Sequence, residues 1–373
     1  MVNPERLLHE FLELCRVDSV SGQERQLCDL LKARLGALGL TVREDQAGAF
    51  GNGTAGNIIA HLPATVPDRP RLLFCAHMDT VEPGRGVKPV VGADGIIRSA
   101  GDTILGADDK AGIAAVIEAI RVVQENKLAH SGVTVVFTIR EETGLVGAKA
   151  LDAGIQADYG FVLDATGQPG EIVVRAPSQD KLTATVYGRA AHAGVNPEAG
   201  INAIYVAAQA IAAMQLGRID PETTANIGTI NGGKAVNIVP DTVYLEGEVR
   251  SLKKERRAAH TALICRILEE TAQKAGARVE VNVELLYEGF DLSAAAPVVR
   301  FTREAMSLCG LEPVLTQSGG GSDANILNAR GIPTVNLATG MENVHTTGEE
   351  IAVADLVALT RLVLELIRLA GNG

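Results

Sequence analysis

Five short motifs carry side chains able to hold metal ions: His77-Met78-Asp79-Thr80, Asp108-Asp109, Glu141-Glu142, Asp164 and His345. Imidazole nitrogen with carboxylate oxygen is a ligand set suited to zinc, with cobalt or manganese as substitutes, and three protein ligands per metal leave positions open for water and substrate. Two imidazoles, two terminal carboxylates and one shared carboxylate would supply two such sets. Three carboxylates gathered without cations would repel strongly. Side chains two apart on an extended segment point the same way, so Asp79 is expected beside His77, accepting a hydrogen bond from the ring nitrogen turned away from the metal. Neighbours on an extended segment point oppositely, so Glu141 and Glu142 are expected to divide the work, one as ligand and one as general base.

Each motif alone has an ordinary explanation. A His-x-Asp often makes a local hydrogen bond, a Glu-Glu pair is usually a solvated turn, and Asp108 or Asp109 would serve as a cap for the helix that begins at Lys110. Their shared placement argues otherwise. Short β-branched or apolar runs at 57–61, 71–75, 133–139, 159–163 and 334–337 read as strands. His77, Glu141-Glu142, Asp164 and His345 follow the last four of these runs, and open α/β sheets bind ligands beyond the carboxyl ends of their strands. Asp108-Asp109 sits in a Gly-rich loop opening a helix over 110–125, with Ile113, Val116, Ile117, Ile120 and Val123 on one face. Two further helices are expected within 4–39, separated by a turn at 19–22 and stopped by Gly39. Strands alternating with helices argue a sheet covered on both sides.

From 178 to 290 the order becomes strand, helix, strand, strand, helix, strand, with expected bounds 181–187, 202–214, 225–231, 242–251, 255–275 and 278–286. That is the ferredoxin-like pattern, read as a second domain inserted into a first made of 1–177 and 291–373, which ends in a helix over 354–369. With 373 residues, 46% apolar and 21% charged, the chain has the composition of a compact globular protein of about two domains. A net charge of −11, 3% aromatic residues and no Trp exclude a nucleic-acid partner. The first fifteen residues read as neither signal peptide nor membrane anchor, and no apolar run reaches the roughly 20 residues of a span. Five cysteines at scattered spacings fit reduced, mostly buried thiols. A cytoplasmic protein without a membrane partner is therefore expected. His9, His61, His130 and His260 are expected on helix or loop surfaces, in structural roles.

With these residues in place, the sequence is similar to the co-catalytic zinc exopeptidases and deacylases. That family includes peptidase T, carboxypeptidase G, acetylornithine deacetylase and succinyl-diaminopimelate desuccinylase. The likeness spans nearly the whole chain and runs through Ala76-His77-Met78-Asp79-Thr80, the segment from Leu105 to Gly112, Glu141-Glu142-Thr143-Gly144, Gly319-Gly320-Gly321-Ser322-Asp323 and the region of His345. It implies a catalytic domain with a central mixed sheet and an inserted ferredoxin-like α+β lid through which relatives dimerise. It implies two divalent metals, zinc foremost, with Asp108 shared between them and a cis peptide after it. One metal would be completed by His77 and Asp164, the other by Glu142 and His345. Glu141 would be the general base, and His192 would help stabilise the oxyanion, often across a dimer boundary. Asn237, Arg250, Gly320 and Gly321 match substrate-binding positions. The chemistry implied is hydrolysis of an amide bond in small peptides, like that of peptidase T. The alternatives are deacylation of N-acyl amino acids or related small amides, and a non-enzymatic binding protein on the same fold. Ser322 lacks the G-x-S-x-G context of a nucleophile and is expected to make backbone contacts.

Overall fold

The computed structural model of the chain describes residues 1–50 and 53–372, in two compact units. The first comprises residues 1–175, 292–318 and 322–373; the second comprises 176–291 and 319–321.

The first unit is built on a mixed sheet, ordered Thr41–Glu44, Ile58–Leu62, Val133–Thr138, Leu72–His77, Tyr159–Ala165, Thr334–Ala338, Glu171–Ala176, with Val314–Gln317 paired to the last. The four strands from Val133–Thr138 to Thr334–Ala338 run parallel, so their carboxyl ends share one edge. They are the apolar runs read from the sequence, and they are apolar because both faces are covered: every residue of Leu72–His77 is buried. The helix Ala107–Asn126 packs against the sheet with nearly all of its residues buried, and Val353–Asn372 lies against it with Leu356, Leu359, Leu362, Val363 and Leu366 in the common core. Pro4–Cys15 and Arg25–Ala37 form the two early helices, and Gly39 ends the second with φ of +78°.

A smaller sheet, ordered Met341–Glu342, Glu350–Ala352, Ile96–Ser99, Pro89–Val91, did not announce itself in the sequence, nor did Thr41–Glu44 or Glu171–Ala176. These strands are mostly short, and several are edge strands with mixed burial, so their residues alternate too briefly to register as a pattern.

The second unit is a five-stranded antiparallel sheet, ordered Gly217–Asp220, Thr223–Gly232, Thr242–Ser251, Ser178–Tyr187, Arg278–Tyr287. Leaving aside the short first strand, this is the ferredoxin-like order. Helices Ala203–Ala213 and Lys254–Lys274 pack Val206, Ala207, Ile264 and Leu268 against Leu182, Ala184, Val186, Leu245 and Val249.

Two histidines expected at the surface are buried. His260 packs inside the second unit with Nε2 3.0 Å from the carbonyl of Gln215, and His130 is 4% exposed in the first. His9 and His61 are exposed, the latter within the strand Ile58–Leu62. All five cysteines are free, with Cys15, Cys28 and Cys75 buried and Cys265 and Cys309 half-buried. No helix among the described residues is long and apolar enough to cross a membrane.

Candidate metal centre

His77 is the last residue of Leu72–His77, and its imidazole lies at the carboxyl edge of the parallel strands. Its Nε2 is 2.9 Å from Asp108 Oδ1 and 3.7 Å from Asp164 Oδ1. On the far side, His345 Nε2 is 3.2 Å from Asp108 Oδ2 and 2.9 Å from Glu142 Oε1. Asp108 therefore presents one oxygen to each histidine. Donor atoms of His77, Asp108 and Glu142 lie within 4.8 Å of one another, as do those of His77, Asp109 and Asp164. All five expected ligands thus converge: His77 and Asp164 from the ends of parallel strands, Glu142 from the turn after Val133–Thr138, His345 from the segment between Met341–Glu342 and Glu350–Ala352, and Asp108 from the kinked start of Ala107–Asn126.

The electrostatics fit cations. Burial pulls the His77 imidazole down, yet Asp108, Asp164 and Asp79 outweigh it and hold the ring well above its usual range. Hydrogen bonds to Asp108 and Glu142 lift His345 to about 10. Burial opposes ionisation of Asp108, but the two imidazoles hold its carboxyl well below the ordinary value. Asp164 is pushed up to about 7 by burial and by the charge on Asp108. Carboxylate oxygens and imidazole nitrogens this close, in surroundings that hold protons so tightly, are the donor set two divalent cations would neutralise.

Asp109 does other work. Its Oδ2 accepts the His77 backbone N–H at 3.1 Å and its Oδ1 accepts that of Gly112 at 3.2 Å, so it ties the end of the strand to the start of the helix. The peptide between Asp108 and Asp109 is cis.

The role expected of Asp79 is divided between its backbone and its side chain. The ring Nδ1 of His77 lies 2.8 Å from the Asp79 carbonyl, closer than the 3.5 Å to its carboxylate. The carboxylate instead accepts the backbone N–H of Glu141 at 2.8 Å, that of Glu142 at 3.3 Å, and the Ser21 hydroxyl at 2.6 Å. Glu141 and Glu142 sit in a turn rather than on an extended segment: Arg140 has φ of +52°, and the Glu141 carbonyl accepts the N–H groups of Gly144 and Leu145. The turn separates the two side chains. Glu142 meets His345, while Glu141 is buried and its carboxyl is raised well above 4.5 by burial and by Asp164.

Sequence reasoning missed several supports. Asn336 accepts the Asp164 N–H at 3.0 Å. Asp323, 1% exposed, accepts from Thr138 Oγ1 and Cys75 Sγ. Glu349 holds the loop that carries Asp108. Each acts across more than 150 residues of chain, except for the local signal that Glu349 follows His345 closely. Ser322 caps the helix Asp323–Ala329, with Asn325 completing a capping box; its Oγ accepts the backbone N–H of Ala324, as expected, and also the Asn336 side-chain amide at 3.2 Å.

In the second unit, His192 is exposed; its Nδ1 accepts the Gly194 N–H at 3.1 Å, so Nε2 carries the proton of the neutral ring. Arg250 makes two 3.0 Å bonds to Glu248, one to each carboxylate oxygen. The Asn237 carbonyl accepts the Ala193 N–H. Gly321 donates its N–H to Tyr287 Oη at 3.1 Å, and the Tyr287 ring fills the space a Cβ there would need. Gly320 belongs to the same segment.

Residues 179–276 match the family profile described as a peptidase dimerisation domain, and residues 57–209 match that described as peptidase family M28. The uncharacterized protein YqjE of Bacillus subtilis is 46% identical over 373 residues, the whole of both chains. Aminopeptidase PepT of Bacillus cereus shares 48% identity and superposes with a TM-score of 0.91 over 99% of each chain. A tripeptidase of Staphylococcus aureus shares 42% identity, with a TM-score of 0.96 over the whole of both. A parallel-stranded edge lined with histidines and carboxylates able to hold metal, in a chain that carries a peptidase dimerisation domain, defines an enzyme of the metallopeptidase class, a hydrolase of peptide bonds. The chain belongs to the M20 peptidases, among their peptidase T-like members.

Proposed function

We propose that this metallopeptidase is an aminopeptidase of small peptides, tripeptides foremost, working in the cytoplasm as a homodimer joined through residues 178–290. The observation that carries the reading is the pairing of Asp108 with both His77 and His345, with Glu142 rather than Glu141 hydrogen-bonded to His345. Supporting it are relatives known as an aminopeptidase and a tripeptidase that match the chain over essentially its full length.

His77, Asp108 and Asp164 would hold one metal ion, and Asp108, Glu142 and His345 the other; zinc suits this mixed nitrogen and oxygen set, and cobalt or manganese would substitute. Bound there, the ions supply Lewis acidity that makes water a nucleophile near neutral pH and polarises the scissile carbonyl. Glu141 takes the proton of the attacking water and delivers it to the leaving amine, a task that a buried carboxyl with a raised pKa suits. Asp79 fixes the His77 ring through its carbonyl and the Glu141–Glu142 turn through its carboxylate. The Nε2 of His192 donates to the oxyanion, and Asn237, Arg250, Gly320 and Gly321 contact substrate.

The test pairs two substitutions with a substrate panel. Glu141→Gln is expected to keep both metals and lose 10²–10⁴-fold in kcat, the range for a removed general base, while Glu142→Gln loses metal first. Tripeptides with a free amino terminus should be cleaved faster than dipeptides, N-blocked peptides or N-acyl amino acids. Full activity in a verified metal-free sample, or preference for N-acyl amino acids, would overturn the proposal.

A further inference from the structure

Glu349 is 1% exposed, yet it belongs to neither ligand set. Its Oε2 accepts the backbone N–H groups of Leu105 and Gly106, each at 2.7 Å, and its Oε1 accepts that of Asp108 at 2.9 Å. One carboxylate therefore satisfies three donors within four residues of one loop, and buried donors of this kind are costly to leave unpaired. Glu349 is itself anchored on both sides. Its N–H donates to the Thr346 carbonyl at 3.1 Å, closing the turn that directly follows His345, and the residues after it form Glu350–Ala352, paired antiparallel with Ile96–Ser99. The same short segment thus grips Asp108 twice. His345 reaches its carboxylate at 3.2 Å, and Glu349, four residues later, holds its backbone.

We infer that Glu349 is a positioning residue that sets the register of Asp108 against His345 and so fixes the metal position those two share with Glu142. This rests on the reading of Asp108 and His345 as ligands. Glu349 touches neither metal nor substrate; it acts by holding the loop before metal arrives. The carboxylate is needed whole. A glutamine of the same volume keeps one oxygen and turns an amide NH₂ toward either the Asp108 N–H or the Leu105 and Gly106 pair, so one side of the clamp becomes donor against donor in either orientation. An aspartate is one methylene too short to reach all three from the same backbone.

The experiment compares metal-free wild type with Glu349→Gln, Glu349→Asp and Asp108→Asn. Each is titrated with Zn²⁺ against a chromophoric chelator, and with Co²⁺ while its visible spectrum is recorded. For Glu349→Gln, the metal shared with Glu142 and His345 should bind about 10–100-fold more weakly, the usual cost of losing a support behind a ligand, and the other, which also uses Asp108, should weaken less. The Co²⁺ spectrum should change, and Glu349→Asp should not restore it. Wild-type affinities and spectrum in both Glu349 variants, with Asp108→Asn weakened, would overturn the positioning role alone. If Asp108→Asn also bound both metals normally, the ligand reading beneath it would fall. Should the variants fail to fold, amide hydrogen exchange on metal-free wild type decides. The N–H groups of Leu105, Gly106 and Asp108 should be protected as strongly as those of the buried helix that follows, and exchange at open-loop rates would overturn the inference.

Discussion

Asp79→Asn tests how the turn bearing Glu141 and Glu142 is held. Asp79 is fully buried, and its carboxylate accepts the Glu141 N–H at 2.8 Å, the Glu142 N–H at 3.3 Å and the Ser21 hydroxyl at 2.6 Å. An asparagine keeps one oxygen. Placed at Oδ1 it preserves the short bond to Glu141 and sets the NH₂ against Glu142 N–H and Ser21, whose hydroxyl can rotate to accept. The reverse orientation puts NH₂ against the Glu141 N–H at the shorter distance and is disfavoured. The loss is then one buried amide facing a donor, about 1–3 kcal/mol, together with the charge assistance of the remaining bonds, about 1 kcal/mol. A stability loss of about 2–4 kcal/mol is expected in urea unfolding. The carboxylate also faces His77 Nδ1 at 3.5 Å, so metal should weaken by about tenfold, and a displaced Glu141 should lower kcat by 10–10²-fold with KM little changed. Ser21→Ala, which removes only the hydroxyl donor, should cost about 1 kcal/mol and leave kcat within a few-fold. An Asp79→Asn enzyme with wild-type kcat, metal content and urea midpoint would refute the idea that this carboxylate organises the turn.

Glu24 offers a pH-dependent test: it is fully buried with Oε2 unpartnered, and burial, aided by the charge on Asp79, raises its carboxyl from 4.5 to about 6. The folded state therefore keeps a proton that the unfolded chain releases, so this stabilising contribution is complete below pH 4.5 and lost as pH rises through 6, amounting to about 2 kcal/mol. Glu24→Gln should gain that much on wild type between pH 4 and pH 7 in urea unfolding; parallel pH curves would contradict it. Gly112→Ala would push a Cβ to 2.6 Å from Asp109 Oδ1 and 2.8 Å from the Leu163 carbonyl, and should destabilise by about 1–3 kcal/mol. Gly36→Ala, in a helix with nothing within 4 Å of the new Cβ, should stabilise by about 0.5–1 kcal/mol, and a calorimetric pair showing the opposite signs would refute both. His192→Ala should keep fold and metal yet lose 10²–10³-fold in kcat. Mixed with Glu141→Gln subunits it should recover activity if His192 serves the partner; no recovery after proven subunit exchange would exclude that sharing.

The sequence by itself determined the class of the fold and the identity of the converging residues, because both are written in local signals. Parallel strands covered on both faces are largely apolar, and the runs at 71–75 and 133–139 each end two residues before the polar residues that begin the site, His77 and Glu141. Few side-chain types can hold a metal ion, so His77, Asp108, Glu142, Asp164 and His345 stand out as candidates even when far apart in the chain, and the structure brings them together. Only the tertiary structure decided which atoms support them. The geometry inferred for an extended Glu141-Glu142 pair failed because Arg140 turns the chain, and a single positive φ leaves no periodic trace in sequence. The carbonyl, not the carboxylate, of Asp79 lies nearest the His77 ring, a choice set by how the strand end curves beneath the turn. Glu349 and Asn336 looked like ordinary polar residues, since a hydrogen bond to a distant backbone N–H asks nothing of the residues beside it in sequence, and Asp323, though part of a recognised motif, gave no sign of its partners Thr138 and Cys75. Their role comes from burial, where an unpaired donor is costly and any acceptor within reach becomes part of the site.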